Sequence, residues 1–205
     1  MKRKLLIVLL AGLLIPTEGT AQKVYKDASN RVVLDSSETG VNIGLPAAAV
    51  TSTKKYPNGS YGTVSNTVLL FGTGSTINSV TGSINATVYQ KLEVAPMSMG
   101  SNTTPTLSTA SATMNWTTAF TRCKNLNYNG GTGWRLPTQR ELQLLYIFNT
   151  AFDSFFGTSG FNSNTYWSAT ENSETNVRIV NFGNGGQTSV SLKTNSNYAR
   201  CVREL

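Results

Sequence analysis

The chain contains no histidine. That absence excludes Ser-His-Asp and Cys-His nucleophilic mechanisms and the common imidazole metal sites. Charge is scarce as well: only 13% of the 205 residues are Asp, Glu, Lys or Arg. No long Lys/Arg run is present to track a nucleic-acid backbone, so nucleic acid is a poor partner class. A P-loop and a dinucleotide-binding glycine fingerprint are both lacking. After residue 15 there is no second long apolar run, so the chain beyond its N-terminus is not expected to span a membrane. Cysteine is limited to Cys123 and Cys201.

The N-terminus reads as an export signal. Lys2, Arg3 and Lys4 precede an apolar run from Leu5 to Ile15, Pro16 breaks it, and Gly19-Thr20-Ala21 supplies small residues at a cleavage site. Residues 1–21 are therefore expected to be a signal peptide. No cysteine follows the apolar run, so no lipid anchor is indicated. The expected location is the cell surface, the periplasm or the extracellular medium. Removing Lys2, Arg3, Lys4 and Glu18 leaves 14 basic side chains against 9 acidic ones. A mildly basic exported protein is better matched to an acidic polysaccharide than to nucleic acid.

In an oxidising compartment two cysteines pair with nothing left over. A Cys123–Cys201 bridge would join a helix to the last strand. Closing a loop of about 80 residues is worth roughly 4.5 kcal/mol in the chain-entropy account. The competing reading is a reactive thiol, which would lack a histidine base.

Residues 22–86 are punctuated by turn signals such as Asn58-Gly59, with β-forming runs at Arg31–Leu34 and Thr67–Phe71. They read as a β-rich N-terminal segment or stalk. Tyr89–Ala95 reads as the first strand of a second domain, residues 87–205, followed by a polar loop from Pro96 to Ala112. Trp116, Ala119, Phe120, Cys123 and Leu126 then fall at i, i+3, i+4, i+7 and i+10, one face of a helix that Asn115 can cap. Thr138 and Glu141 have capping-box spacing at the head of a second helix, about Gln139–Phe148, with Leu142, Leu145 and Ile147 to Phe148 as its apolar face. Gly157 and Gly160 end that region. Four strand candidates follow, Tyr166–Thr170, Val177–Phe182, Gln187–Leu192 and Tyr198–Arg203, with Asn184-Gly185-Gly186 as a tight turn. Two helices followed by antiparallel strands describe an α+β domain.

The motifs Trp116-x-x-Ala119-x-x-x-Cys123-x-x-Leu126, Gly133-Trp-Arg-Leu-Pro-Thr138, Glu141-Leu142, Tyr166-Trp-Ser168, Thr170-Glu171 and Arg200-Cys-Val-Arg203 resemble the Lcl C-terminal domain family, named for a collagen-like bacterial adhesin. They are also similar to the related Fibrobacter succinogenes major paralogous domain. The resemblance covers about residues 87–205. It implies a C-type-lectin-like fold with a disulfide from the first helix to the final strand. It further implies adhesion to extracellular polysaccharide or to a host or neighbouring cell surface, with sulfated polysaccharide as a ligand class and a homotrimer as one assembly. No collagen-like Gly-x-y run is present. The Glu-Pro-Asn and Trp-Asn-Asp runs of calcium-dependent sugar-binding lectins are missing too, and Val180-Asn-Phe-Gly-Asn184 offers no carboxylate, so no calcium site of that type and no other cofactor is expected.

Tyr128, in the Asn/Gly-rich loop, is a candidate for an exposed ligand contact. Arg178 and Lys193 lie on or beside strands that the Asn184 turn can pair, where both cations could meet one anionic ligand. Trp134, Trp167, Arg135 and Arg200 read as structural. Glu141, Asp153, Glu171 and Glu174 are the carboxylates a glycosidase would have to draw on; a helix cap and polar loops account for them more simply. The expectation is a non-enzymatic adhesin or ligand-binding protein. The alternatives are a structural subunit of a surface fibre or pilus and, less well supported, a formylglycine-generating type of enzyme, whose chemistry would need free thiols.

Overall fold

The structure is a computed structural model that describes residues 23–35, 64–67, 70, 91–96 and 113–205 apart from 129, 158, 159 and 162. The leader at 1–21, the Asn58-Gly59 turn and most of the Pro96–Ala112 loop lie outside the described residues. So does most of Thr67–Phe71, of which Thr67 and Leu70 are bends.

Ten elements are described: β1 (Lys23–Lys26), β2 (Val32–Asp35), β3 (Lys91–Val94), α1 (Trp116–Asn125), α2 (Gln139–Ile147), α3 (Asn149–Phe156), β4 (Thr165–Glu171), β5 (Asn176–Asn181), β6 (Gln187–Leu192) and β7 (Val202–Glu204). The strands form two antiparallel sheets. One has the order β1-β2-β3-β7 and the other β4-β5-β6. The fold class is α+β, with three helices among the described residues where two were expected.

β1 and β2 are part of the sheet that contains the C-terminal strand. Leu34 pairs with Leu92, and Leu92 in turn with Glu204. Val32 and Leu34 enter the same core as Leu92, Val94 and Val202. The boundary expected between residues 86 and 87 therefore falls between hydrogen-bonded strands of one sheet.

α1 forms where the periodicity places it. Asn115 accepts from Thr118 N–H at 2.9 Å, and Trp116, Ala119, Phe120 and Cys123 are buried. The indole N–H of Trp116 donates to Ser168 O at 2.9 Å, and that of Trp167 donates to Met114 O at 2.6 Å. These two bonds tie α1 and its lead-in to β4, and both rings are fully buried. Cys123 and Cys201 form the expected disulfide, joining α1 to the residue before β7.

α2 opens with the complete capping box of Thr138 and Glu141. Its buried face is Leu142, Leu144 and Leu145. Ile147, expected on that face, is 54% exposed. The chain turns at Phe148 into α3, so a straight continuation of the stripe no longer points at the core.

In the second sheet, β5 and β6 are joined through a turn in which Gly185 and Gly186 have φ of 68° and 71°. Left-handed backbone at two successive positions is what a primed hairpin turn requires. The β4–β5 register shifts between Trp167 and Glu171, and Ser168 donates its hydroxyl to Arg178 O at 2.7 Å beside that irregularity.

Candidate functional site

The β1–β2 connection is built by Asp27. Its Oδ1 accepts from the backbone N–H of Ser29 and of Arg31, while its Oδ2 binds the Arg31 guanidinium at 2.5 Å. The Arg31 side-chain hydrogen bond leads in holding the Asp27 carboxyl below its ordinary range. Asn30 closes the turn at φ 61°, a left-handed conformation that asparagine tolerates. The result is a hairpin tip that carries Lys26 and Asn30 toward α3.

Between that hairpin, the end of β3, α3 and the loop after α1 lies a cleft of about 180 Å³. Lys26, Asn30, Val32, Tyr128, Phe155 and Phe156 line it, with Val94 and Pro96 completing the wall. Tyr128 is held by an edge-on contact with Trp134, ring centroids 6.2 Å apart. Its carbonyl accepts from Gly131 N–H at 3.0 Å. Lys26 is exposed, and Tyr128, Phe155 and Phe156 are half-buried. A cation beside three aromatic rings is an arrangement that stacks a ring and attracts a negative group. The volume is below the roughly 300–1,000 Å³ of most small-molecule sites, so the cleft suits one ring rather than a long ligand.

The candidate residues from the sequence are dispersed. Tyr128 is on the cleft. Arg178 is half-buried on β5 opposite Val190 of β6, in the other sheet. Lys193 is withdrawn from any ligand. It is fully buried, its Nζ 2.6 Å from Glu171 Oε1 and 4.6 Å from the Trp116 ring centre. Leu70 N–H donates to both oxygens of the same carboxylate. Arg178 and Lys193 therefore do not form a joint anion site, because the lysine already neutralises a buried acid.

The other carboxylates named as catalytic candidates have structural positions where they are buried. Glu141 binds Arg135 through both oxygens at 2.7 and 2.9 Å and accepts from Thr138 N–H at 2.8 Å. Asp153 and Glu174 are exposed. Trp134 and Trp167 are buried, and Arg200 is held by backbone carbonyls of Ala95 and Gly160. Among the described residues no group of three or more His, Cys, Asp or Glu is placed to hold a metal ion.

Lys26, Asn30, Phe155 and Phe156 were not singled out from the sequence. The signal for the first two is the Asp27-x-Ser29-Asn30 turn chemistry. Phe155-Phe156 stands next to a helix-ending glycine.

A disulfide-closed α+β domain with a small aromatic and cationic cleft thus defines the class. The chain belongs to the Lcl C-terminal domain family, whose model matches residues 90–203. No curated protein matches it. No helix among the described residues is long and apolar enough to cross a membrane.

Proposed function

We propose that this is an exported, non-enzymatic adhesin or ligand-binding protein with a C-type-lectin-like head that recognises anionic polysaccharide. The observation that carries the reading is the cleft, where Lys26 stands beside Tyr128, Phe155 and Phe156. Aromatic rings give a sugar face something to stack on, and the lysine favours a sulfate or carboxylate. The basic balance of the chain adds long-range attraction for the same ligands. The family's link to adhesion points the same way.

A glycan array at low and raised salt tests the proposal. Capture of sulfated or uronic-acid glycans that fades with salt supports it. An array on which neutral and acidic glycans bind alike sinks it.

The second reading is a subunit of a surface fibre. It draws on β6, which stands at the edge of its sheet with Val190 43% and Leu192 48% exposed. An uncharged, β-prone edge strand is a template for pairing with another chain. Concentration-dependent polymerisation with an empty array would favour this reading.

A further inference from the structure

The edges of the two sheets are not guarded alike. β1 carries Lys23 and Lys26 at its ends. β7 is covered by Arg135, whose backbone N–H and C=O exchange hydrogen bonds with those of Val202 at 2.9 Å. β4 is covered by the Tyr198 segment, where Trp167 N–H donates to Tyr198 O at 2.8 Å and Tyr198 N–H to Thr165 O at 3.0 Å. β6 has neither charge nor proline, and no strand lies beyond it among the described residues. Its register with β5 runs unbroken from Asn176↔Leu192 to Asn181↔Gln187, so no bulge bends it away. Charge, proline, a bulge or a covering segment are the usual protections of an edge strand, and β6 has none of them. The first charge after it is Lys193, which Glu171 draws into the interior.

The ladder fixes which backbone groups face outward. Lys193 N–H donates to Thr175 O at 2.8 Å, one step past the Asn176↔Leu192 pair. Counting back by twos, Ser191, Ser189 and Gln187 aim their N–H and C=O at β5. Thr188, Val190 and Leu192 aim theirs away from it. Leu192 O also accepts from Asn195 N–H, which leaves its second lone pair. The side chains of Val190 and Leu192 share one face and are 43% and 48% exposed. This outward row is symmetric about Val190, with one outward residue two steps to either side. Such a strand is its own complement when a copy of it runs antiparallel. A charged strand would meet no counter-charge on it, whereas an uncharged one forfeits none.

We infer that β6 is the pairing edge for a second copy of this chain: two β6 strands lie antiparallel about a two-fold axis at Val190, and two three-stranded sheets become one of six strands. Val190 then faces its own counterpart, and the Thr188 of each copy faces the Leu192 of the other. Each facing couple exchanges N–H···O bonds, and the apolar side chains form one row across the seam. Arg178, opposite Val190, is the single charged residue of β5 and β6. The two copies' Arg178 are three strand spacings apart, roughly 14 Å, beyond a screening length of about 8 Å in physiological salt. The pairing stops at two copies because each contributes its one open edge. It uses the edge that the fibre reading draws on but closes it, so the two differ in the size of the assembly. It does not depend on the polysaccharide reading.

Sedimentation equilibrium of residues 22–205 over a concentration series tests this. The mass should rise from one chain towards two and go no further, and raised salt should not reverse it. Val190→Lys sets like charges against each other at the axis and should leave single chains throughout, with the circular dichroism of the parent. Thr188→Pro removes an outward N–H and none that β5 uses, so it should also weaken pairing in a folded protein. Val190→Cys should link two chains through a disulfide without reductant, because facing Cα atoms of such a couple are about 5.5 Å apart, within reach of the bond. Leu192→Cys should not link, since its counterpart lies roughly 14 Å along the strand. Single chains at every concentration overturn the inference, as does a trimer or a Val190→Lys protein that still pairs. Equal linking through positions 190 and 192 shows another register and overturns it too. Open-ended growth overturns it and favours the fibre.

Discussion

Glu141 carries three hydrogen bonds at a fully buried position, two to Arg135 and one to Thr138 N–H. Its capping role is readable from the Thr-x-x-Glu spacing, but its pairing with Arg135 is not, since nothing local requires the arginine to turn inward. Glu141→Ala removes the cap and strands the Arg135 charge, so we expect about 3–5 kcal/mol of lost stability, read as a lower urea midpoint. Glu93 shows the opposite balance. It is fully buried, bonded to Arg203 through one oxygen, and its other oxygen has no partner. Burial raises its pKa, the Arg203 hydrogen bond only partly opposing this. A raised folded-state value means the folded protein holds this proton more tightly than the unfolded chain. Stability from Glu93 is thus fully present below the ordinary carboxylate range and is lost as pH rises through the folded value. Glu93→Gln should remove that slope; denaturant midpoints of parent and variant from pH 4 to 7 should diverge, with the parent gaining on the acid side. Lys193 marks the limit of local reading. The pair Leu192-Lys193 suggests apolar in and charged out, yet Leu192 is exposed and Lys193 buried. Its partner Glu171 is on another strand, and no sequence period reports that contact.

At the scale of elements, α1 and the opening of α2 were legible because their caps and apolar stripes are local. α3 was not. It follows α2 directly at Phe148 with no glycine or proline between, has no side-chain cap, and buries fully only Phe152. Its stop was legible: Gly157 closes it at φ 77° and ψ 178°. That backbone region is essentially reserved for glycine. A Cβ there would meet nothing within 4 Å, so any penalty is conformational. Gly157→Ala should lower stability by about 1–3 kcal/mol in thermal or urea unfolding, with α3, and hence Phe155 and Phe156, loosened first. β7 is shorter than the expected Tyr198–Arg203 run. Upstream of it, Tyr198 O accepts from Trp167 N–H and Cys201 is tied to α1, and these contacts pull the chain out of the ladder. The cleft was half-legible for a related reason. Tyr128 stands in an evident loop, whereas Lys26 and Asn30 reach it only because β2 pairs with β3 across a long stretch of sequence.

At the scale of the whole molecule, the N-terminal strands belong to the fold that the family match describes only from residue 90. Composition alone suggested a stalk, because a four-residue strand carries too little pattern to announce its partner. A fragment of residues 87–205 would leave β3 as an open edge and uncover the core surface that Val32 and Leu34 fill. We expect that fragment to unfold at lower denaturant than residues 22–205, or to aggregate, by circular dichroism and light scattering; equal stability of the two would contradict the shared core. The disulfide acts on only part of this assembly. It bridges a sequence separation of 78 and leaves β1, β2, β3 and β7 outside its loop. Under tension applied between Lys23 and Leu205, those four strands can peel away from the two edges of their sheet. The segment between the two sulfurs cannot lengthen at all. A molecule held at both ends would therefore extend through its outer strands and then stop, and the cleft, whose hairpin wall includes an edge strand, would open before the disulfide-closed part gave way.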